Sequence, residues 1–287
     1  MKEIIVAHSP DADDIFMYYA IKFGWVNLKD TKFDNLALDI ETLNQATLKG
    51  EYDICAISFA LYPFVKDDFA LLKTAVSFGD GYGPKLIKKK GVKLKKKFTV
   101  ALSGEYTTNA LLFKIKYPNA KITYMNFLDI EKAVLDGVVD AGVLIHESIL
   151  TYDAKLEVEI EVWDIWQELA GPDLPLPLGG MCLRRSIPLN KAIDYENTLI
   201  KAVEVANSNK ELLSKMLIDR DLIRVNSETL EKYLGLYAND DSINLSELQY
   251  KALDKLFELG YKHGFYEQLI KSKDFLIPSE YSELRAE

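Results

Sequence analysis

Histidine and cysteine are scarce in this 287-residue sequence, which contains three histidines and two cysteines. No histidine lies near a cysteine at a zinc-binding spacing, so we expect no metal site. Cys55 and Cys182 each lie in an apolar stretch. Free buried thiols are typical of a reducing compartment, whereas small secreted domains pair their cysteines, so this pattern favours a cytoplasmic protein.

Several signatures are absent as well. The sequence has no P-loop, no Gly-x-Gly-x-x-Gly segment after its first strand and no Gly-x-Ser-x-Gly elbow. We therefore expect no bound cofactor, and side chains alone would carry any chemistry. No apolar run reaches the roughly 18 residues that span a bilayer. The N-terminal segment MKEIIVAHSPDADD lacks an apolar signal core, which also predicts a cytoplasmic protein without a membrane partner.

Negative charge is in excess, since 44 Asp and Glu residues against 35 Lys and Arg residues give a net charge of −9. This field repels polyanions, so we expect no nucleic-acid partner. Lysines nevertheless crowd residues 85–97. We interpret the run as a solvated linker or an edge strand. A phosphate- or membrane-binding patch is the alternative, although no aromatic residues interleave the lysines to stack bases.

Strand-like and helix-like patterns alternate along the chain, whose length suits two domains. Strands are predicted at residues 3–7, 36–40, 53–57, 70–78, 85–87, 98–102, 122–125 and 141–145. Helices are predicted at residues 13–23, 41–48, 107–115, 128–135, 199–217, 227–236 and 245–259. This alternation is typical of an α/β fold with parallel sheets and helices on both faces.

One segment of the sequence is echoed in another. Residues 48–56 read LKGEYDICA and residues 135–143 read LDGVVDAGV. Both run from a helix end through glycine and an acidic residue into a strand of small residues. The echo suggests two similar lobes whose strand ends, at Ser58 and His146, point at a shared site, because ligands bind at the carboxyl ends of parallel strands. Chance similarity between two ordinary helix–strand units is the alternative.

Among the histidines, His146 is the candidate for chemistry. It follows the apolar strand predicted at 141–145, and imidazole is the natural general base near neutral pH. A satisfied structural histidine is the alternative. His8 follows the first strand and either lines the cleft or caps a turn, while His263 lies among polar residues and is expected at the surface.

Two predicted helix starts are candidate binding elements. At Thr107, Thr108 and Asn109 the free backbone N–H groups and two hydroxyls make an anion site that suits a carboxylate. An ordinary threonine cap is the alternative. The segment SPDADD at residues 9–14 opens the first helix. It is either an acidic cap or a wall of carboxylates and backbone facing substrate hydroxyls.

Distinctive short segments make the sequence resemble a known family over nearly its whole length. The most specific are LIHES at 144–148 and LPLPLG at 174–179. They are accompanied by HSP at 8–10, ETLN at 41–44 and GYGP at 81–84. The family is 1,4-dihydroxy-6-naphthoate synthase, of the futalosine route to menaquinone.

The resemblance implies a two-lobed α/β fold like that of type II periplasmic binding proteins, with a central cleft. One lobe would comprise residues 1–97 and 186–287, and the other residues 98–185, with hinge crossovers near Lys97 and Arg184. It also implies a carbon–carbon lyase that converts cyclic dehypoxanthine futalosine to 1,4-dihydroxy-6-naphthoate, with His146 as the base and no cofactor. Substrate contacts are implied for Ser9, Asp14, Ala56, Ile57, Ser58, Thr107, Thr108 and Asn109.

Two other functions stay open at this point. Chorismate dehydratase belongs to the same pathway and has the same fold, although the segment around His146 favours the naphthoate synthase. A non-catalytic carboxylate-binding protein would share the fold too. In each case the partner is a small carboxylated molecule, and the oligomeric state is undetermined. Family members have Asn-Asp-Thr where this chain has Asp13-Asp14-Ile15, which weakens the expectation of substrate contacts at residues 13 and 15.

Overall fold

The computed structural model describes residues 2–278. Its strands are Lys2–His8 (β1), Thr31–Ala37 (β2), Ile54–Ser58 (β3), Phe69–Leu71 (β4), Ser77–Gly79 (β5), Lys85–Lys89 (β6), Thr99–Leu102 (β7), Lys121–Tyr124 (β8), Ala141–Leu144 (β9), Leu156–Glu161 (β10) and Leu176–Arg184 (β11). Its α-helices are Ala12–Lys22 (α1), Ile40–Leu48 (α2), Tyr62–Val65 (α3), Thr108–Lys116 (α4), Phe127–Asp136 (α5), Val162–Ala170 (α6), Leu189–Ser208 (α7), Lys210–Ile218 (α8), Ser227–Tyr237 (α9) and Glu247–Lys262 (α10). Residues 279–287, predicted to end the first lobe, lie outside the described residues.

The strands form two sheets, one in each half of the molecule. The first has the order β2-β1-β3-β11-β4, with β5 paired to β11, and the second has the order β10-β6-β9-β7-β8. In the first sheet β1 is parallel to β2 and β3, and in the second β7 is parallel to β8 and β9. The units β1-α1-β2-α2-β3 and β7-α4-β8-α5-β9 therefore have the same topology, and the echoed segments occupy equivalent places in them.

Capping residues and glycines determine where the echoed helices begin and end. The Asp39 side chain accepts a hydrogen bond from the first turn of α2, and Asn126 does the same for α5. After these helices, Gly50 and Gly137 adopt left-handed φ values of 65° and 77°. Glycine suits this conformation because it lacks a Cβ. The chain thus turns directly into β3 and β9.

Both sheets are mixed rather than wholly parallel, which differs from the prediction. Strand β11 is antiparallel to β3, and β6 is antiparallel to β9. Residues 156–184, which form β10, α6 and β11, had no prediction of their own. Pro177 in β11 weakens a strand pattern, because proline lacks a backbone donor. The predicted helix over 199–217 is two helices that meet at Asn209, and the predicted strand over 70–78 is divided at Ala75, whose φ is 52°.

The chain does not pass between the sheets at the predicted hinges. Strand β6, expected in the first lobe, lies in the second sheet, and β11, expected in the second lobe, lies in the first sheet. The crossovers therefore fall between β5 and β6 and between α6 and β11. A boundary at 97 or 185 would separate β6 and β11 from the strands to which they are hydrogen-bonded.

The lysine run is only partly a solvated segment. Lys93, Lys95, Lys96 and Lys97 are exposed as predicted. Lys88, however, lies in β6, which is an inner strand and not an edge strand. Its side chain is mostly buried and pairs with Glu157 at 3.3 Å and with Glu159 at 2.7 Å, both on β10. The glutamates of β10 therefore neutralise the charge of Lys88.

We expect Gly142→Ala to destabilise the second sheet. A Cβ at Gly142 in β9 would collide with the side chains of Ile130 and Val134 on α5, and overpacking costs about 1–3 kcal/mol. Gly235→Ala is the matched control, because a Cβ there, in the last turn of α9, meets no atom within 4 Å. It should instead stabilise the protein by roughly 0.5–1 kcal/mol. Urea denaturation of both variants measures the difference, and equal stabilities would contradict this packing.

Candidate active site

A cleft lies where the carboxyl ends of β1, β3, β7 and β9 meet, with about 720 Å³ of space that is partly open to solvent. The residues predicted to form the site all line this cleft: Ser9, Asp14, Ala56, Ile57, Ser58, Thr107, Thr108, Asn109 and His146. They come from both halves of the molecule. Their roles stay predictions, but the fold brings them to one place.

His146 lies two residues after the end of β9 and has a left-handed φ of 56°, which is uncommon for a residue with a side chain. Its Nδ1 lies 2.6 Å from Oδ2 of Asp11, and 16% of its side chain is exposed. The ring of Phe127 packs edge-on at a centroid distance of 4.9 Å. Nε2 has no hydrogen-bond partner in the described part of the chain. One ring nitrogen is therefore held by a carboxylate while the other is available to a ligand.

Asp11 is held by a further set of contacts. Arg224, in the segment between α8 and α9, donates to Asp11 at 3.4 Å and to Glu147 at 3.3 Å. The other carboxylate oxygen of Glu147 accepts the backbone N–H of Ala12 at 3.0 Å. Asp11 is the N-cap residue of α1 by position, but its side chain makes no capping hydrogen bond. The acidic-cap interpretation therefore fails for Asp11, whose carboxylate orients His146 instead.

The charges around His146 favour its protonated form. Burial lowers the pKa of the imidazole, but the nearby carboxylate of Asp11, its hydrogen bond, and the charges of Asp13 and Glu147 together outweigh burial and raise the pKa above its usual value. A carboxylate partner on Nδ1 also sets the tautomer in which a neutral ring presents an unprotonated Nε2. This arrangement makes His146 a stronger base than a free histidine.

Two further carboxyl groups belong to the first turn of α1. Burial raises the pKa of Asp13 to about 7 and that of Asp14 well above its usual value, with neighbouring carboxylates adding to the effect. Asp14 accepts the backbone N–H of Ser9 at 2.7 Å. Both side chains line the cleft, so this helix start is an acidic wall of the site. Asp13 lines the cleft. A substrate contact at this position was a weakened expectation, because the family has asparagine there.

The start of α4 combines a cap with possible ligand contacts. Thr107 is the N-cap, and its hydroxyl accepts the N–H of Ala110 at 3.1 Å. The Thr108 hydroxyl is occupied too, because it donates to Leu178 O at 3.0 Å and accepts from Ala60 N at 3.3 Å. First-turn N–H groups have no acceptor within their helix. The anion site thus rests on backbone N–H groups. The buried Oδ1 of Asn109, which has no partner among the described residues, is an acceptor and suits a ligand hydroxyl instead.

The end of β3 forms another part of the cleft wall. Asn44 on α2 accepts the backbone N–H of Ser58 at 3.0 Å and donates to its hydroxyl at 3.2 Å. These two contacts orient the Ser58 side chain at the cleft, beside Ala56 and Ile57.

The other two histidines do not contribute to the cleft. His8 is buried, stacks on Tyr18 at a centroid distance of 5.1 Å, and places Nδ1 2.7 Å from the carbonyl of Ser9. Burial lowers its pKa, which makes it a neutral structural residue. His263 is exposed at the end of α10, as predicted.

Sequence reasoning gave no individual role to several residues of the site. These are Asp11, Asp13, Glu147, Arg224, Tyr233 and Tyr237. Asp11 and Asp13 lie in the SPDADD segment and Glu147 lies in the LIHES segment. The signal available for them was a carboxylate close to a histidine in the sequence. Arg224 had no local signal, because it is 77 positions from Glu147 in the chain. Within residues 2–278 no group of His, Cys, Asp and Glu side chains has the arrangement of a metal site, and no helix has both the length and the hydrophobicity to cross a membrane.

Two mixed sheets, crossed connections and a cleft lined from both halves define a two-lobed α/β protein of the periplasmic-binding-protein type. This confirms the predicted fold class. The sequence model of the menaquinone biosynthesis family matches residues 4–262, and the chain belongs to that family.

Curated relatives carry the enzyme name that the sequence motifs suggested. The chain is 29% identical over 266 residues to a 1,4-dihydroxy-6-naphthoate synthase of Streptomyces coelicolor, which covers 90% of this chain and 93% of that protein. It is 28% identical over 269 residues to the synthase of Thermus thermophilus, covering 92% and 96%. The predicted resemblance is confirmed.

Solved structures agree with the fold. A structural-genomics protein from Archaeoglobus fulgidus has a TM-score of 0.85 and 35% identity, covering 91% of this chain and 98% of its own. The alkanesulfonate-binding protein of Xanthomonas axonopodis pv. citri, bound to MOPS, has a TM-score of 0.69 and 13% identity, covering 96% and 98%. The second likeness concerns the fold alone.

We expect Asp11→Asn to lower the pKa of His146 relative to the unchanged protein. The substitution removes the charge that raises this pKa, so burial, which lowers it, becomes dominant. An NMR titration of the imidazole, assigned with a His146→Asn sample, measures the shift. Asp53→Asn is the control, since Asp53 pairs with Arg184 away from the cleft. An unchanged titration in Asp11→Asn would show that the carboxylate does not act on the ring.

Proposed function

We propose that this protein is a carbon–carbon lyase that converts cyclic dehypoxanthine futalosine to 1,4-dihydroxy-6-naphthoate, with His146 as the general base. The names of its curated relatives support the pathway and the enzyme class. The observation that carries the assignment is the state of His146: Nδ1 is held by Asp11 while Nε2 is unpartnered in the cleft.

The start of α4 is suited to the carboxylate of the substrate. Its first-turn N–H groups and the positive end of its dipole favour a negative group. Ser58 supplies a hydroxyl and Asn109 an amide for hydrogen bonds to other polar groups of the substrate, and Ile57 and Leu178 supply apolar walls for a ring. A flat carboxylated ring would therefore bind with its acidic end at α4 and its reacting end toward His146.

The chemistry requires a base and an enclosed site. Neutral His146 removes a hydroxyl or carbon-bound proton, the carbon–carbon bond to the sugar-derived fragment breaks, and the ring becomes aromatic. Aromatisation supplies the driving force, and the reaction changes no net oxidation state, so we propose that it proceeds without a bound cofactor. We also propose that the protein acts in the cytoplasm. Contacts across the cleft, such as that between Glu147 and Ala12 at 3.0 Å, would exclude water from the intermediate.

Incubation of the purified protein with cyclic dehypoxanthine futalosine tests the proposal. The expected result is the aromatic absorbance of the naphthoate and release of the sugar-derived fragment. A parallel incubation with chorismate tests dehydration. Loss of water from chorismate would assign the protein to that reaction instead, and retention of the futalosine derivative without turnover would indicate a binding protein.

We expect His146→Asn to lower kcat by about 100- to 10,000-fold, because asparagine cannot act as a general base. Asparagine suits the left-handed backbone of this position better than alanine, so the fold should be kept. His263→Asn is the matched control and should leave kcat unchanged, since His263 is exposed and away from the cleft. Steady-state kinetics measure both. Near-normal turnover by His146→Asn would rule out the assigned role.

A further inference from the structure

A carboxyl group that the proposed mechanism does not use lies in the wall of the cleft. Asp13 is 5% exposed and lines the same cavity as His146. Its Oδ2 accepts one long hydrogen bond from Ser77 Oγ at 3.4 Å, and its buried Oδ1 has no partner among the described residues. Because a buried oxygen without a hydrogen bond costs free energy, this atom is placed to meet a ligand.

The groups nearest to Asp13 are mostly acidic. Asp11 and Asp14 flank it on its own segment, and Glu147 faces it from the turn after β9. His146 faces it from the same turn and carries positive charge when it is protonated. An ionised Asp13 would therefore add a negative charge to a cluster that already holds several.

The remaining neighbours do not neutralise that charge. Arg224 is engaged by Asp11 and Glu147, and within residues 2–278 no lysine or arginine forms an ion pair with Asp13. Tyr233 and Tyr237 face it from α9, and burial raises the pKa of both phenols well above the usual value.

Tyr82 faces Asp13 from the turn between β5 and β6, and burial raises its pKa to about 12. These three tyrosines are uncharged near neutral pH. Burial, followed by the charge of Asp11, raises the pKa of Asp13 to about 7. Below that pH Asp13 is a neutral acid with an O–H donor, whereas above it the carboxylate can only accept.

We infer that Asp13 acts in its neutral form, as a hydrogen-bond donor to the substrate oxygen that gains negative charge when His146 removes a proton. The inference rests on the proposed function. His146 gains the proton, the substrate keeps the electron pair, and the proton of Asp13 is shared in a hydrogen bond without being transferred. A fixed donor in an enclosed site stabilises developing charge more than water does. Asp14 cannot replace it equally, because its Oδ2 is occupied by the N–H of Ser9 at 2.7 Å.

The inference predicts a bell-shaped dependence of kcat/KM on pH, because activity needs His146 neutral and Asp13 protonated. Asp13→Asn should keep kcat within about tenfold, since the amide N–H also donates, and should lose the alkaline limb. Asp13→Ala should lower kcat by about 100- to 1,000-fold with little change in KM, because a donor acting in the transition state is lost. Asp14→Asn should retain the alkaline limb.

Kinetics of the four proteins over the pH range test these points. The inference is overturned if Asp13→Asn keeps the alkaline limb, if Asp14→Asn loses it, or if Asp13→Ala is as active as the unchanged protein. Failure of the unchanged protein to turn over the substrate would instead count against the proposed function.

A measurement without substrate tests the protonation state of Asp13 separately from the proposed function. Infrared difference spectra between acidic and alkaline pH should show protonated carboxyl absorption that titrates near neutral pH. The Asp13→Asn protein should lose a part of this absorption that the Asp14→Asn protein keeps. If this part is absent from the unchanged protein as well, Asp13 is ionised at neutral pH and cannot be the donor.

Discussion

The contact between the imidazole of His146 and the carboxylate of Asp11 is the interaction on which the cleft depends. It joins the segment after β9, a strand of the second sheet, to the start of α1, which follows β1 of the first sheet, at 2.6 Å. Arg224 and Glu147 hold the same corner through contacts to Asp11 and Ala12. One set of contacts therefore orients the proposed base, raises its pKa and connects the two halves of the molecule.

The repeated topology explains why such a corner exists. Each half has a parallel β-α-β-α-β unit, and parallel strands direct their carboxyl ends to one edge of a sheet. Strand β11 then joins the first unit, antiparallel to β3, and strand β6 joins the second unit, antiparallel to β9. Both β3 and β9 lead into the cleft. The two edges consequently face each other, and loops from both sheets share one cavity.

The site is acidic although its proposed substrate is an anion. Asp11, Asp13 and Glu147 crowd the His146 end, and burial and mutual repulsion raise the pKa of Asp13 to about 7. Arg224 pairs with Asp11 and Glu147 at this end, and the start of α4 supplies backbone donors at the other end. The cleft thus separates a place for the substrate's carboxylate from the place where proton transfer is proposed.

The sequence by itself determined the features that depend on local chemistry. Glycine stops, the Thr107 cap, the echoed units and a histidine after an apolar strand are short-range patterns that led to an α/β interpretation with a shared site. The distinctive segments at 144–148 and 174–179 carried the resemblance, which implied the family, the two-lobed fold and most of the cleft residues. The tertiary structure alone decided the exchange of β6 and β11 and the arrival of Arg224 beside Asp11, because these depend on pairing between distant segments. It also decided that Asp11 faces an imidazole rather than capping its helix, since direction and burial are set by the packing of two lobes and not by neighbouring residues in the chain.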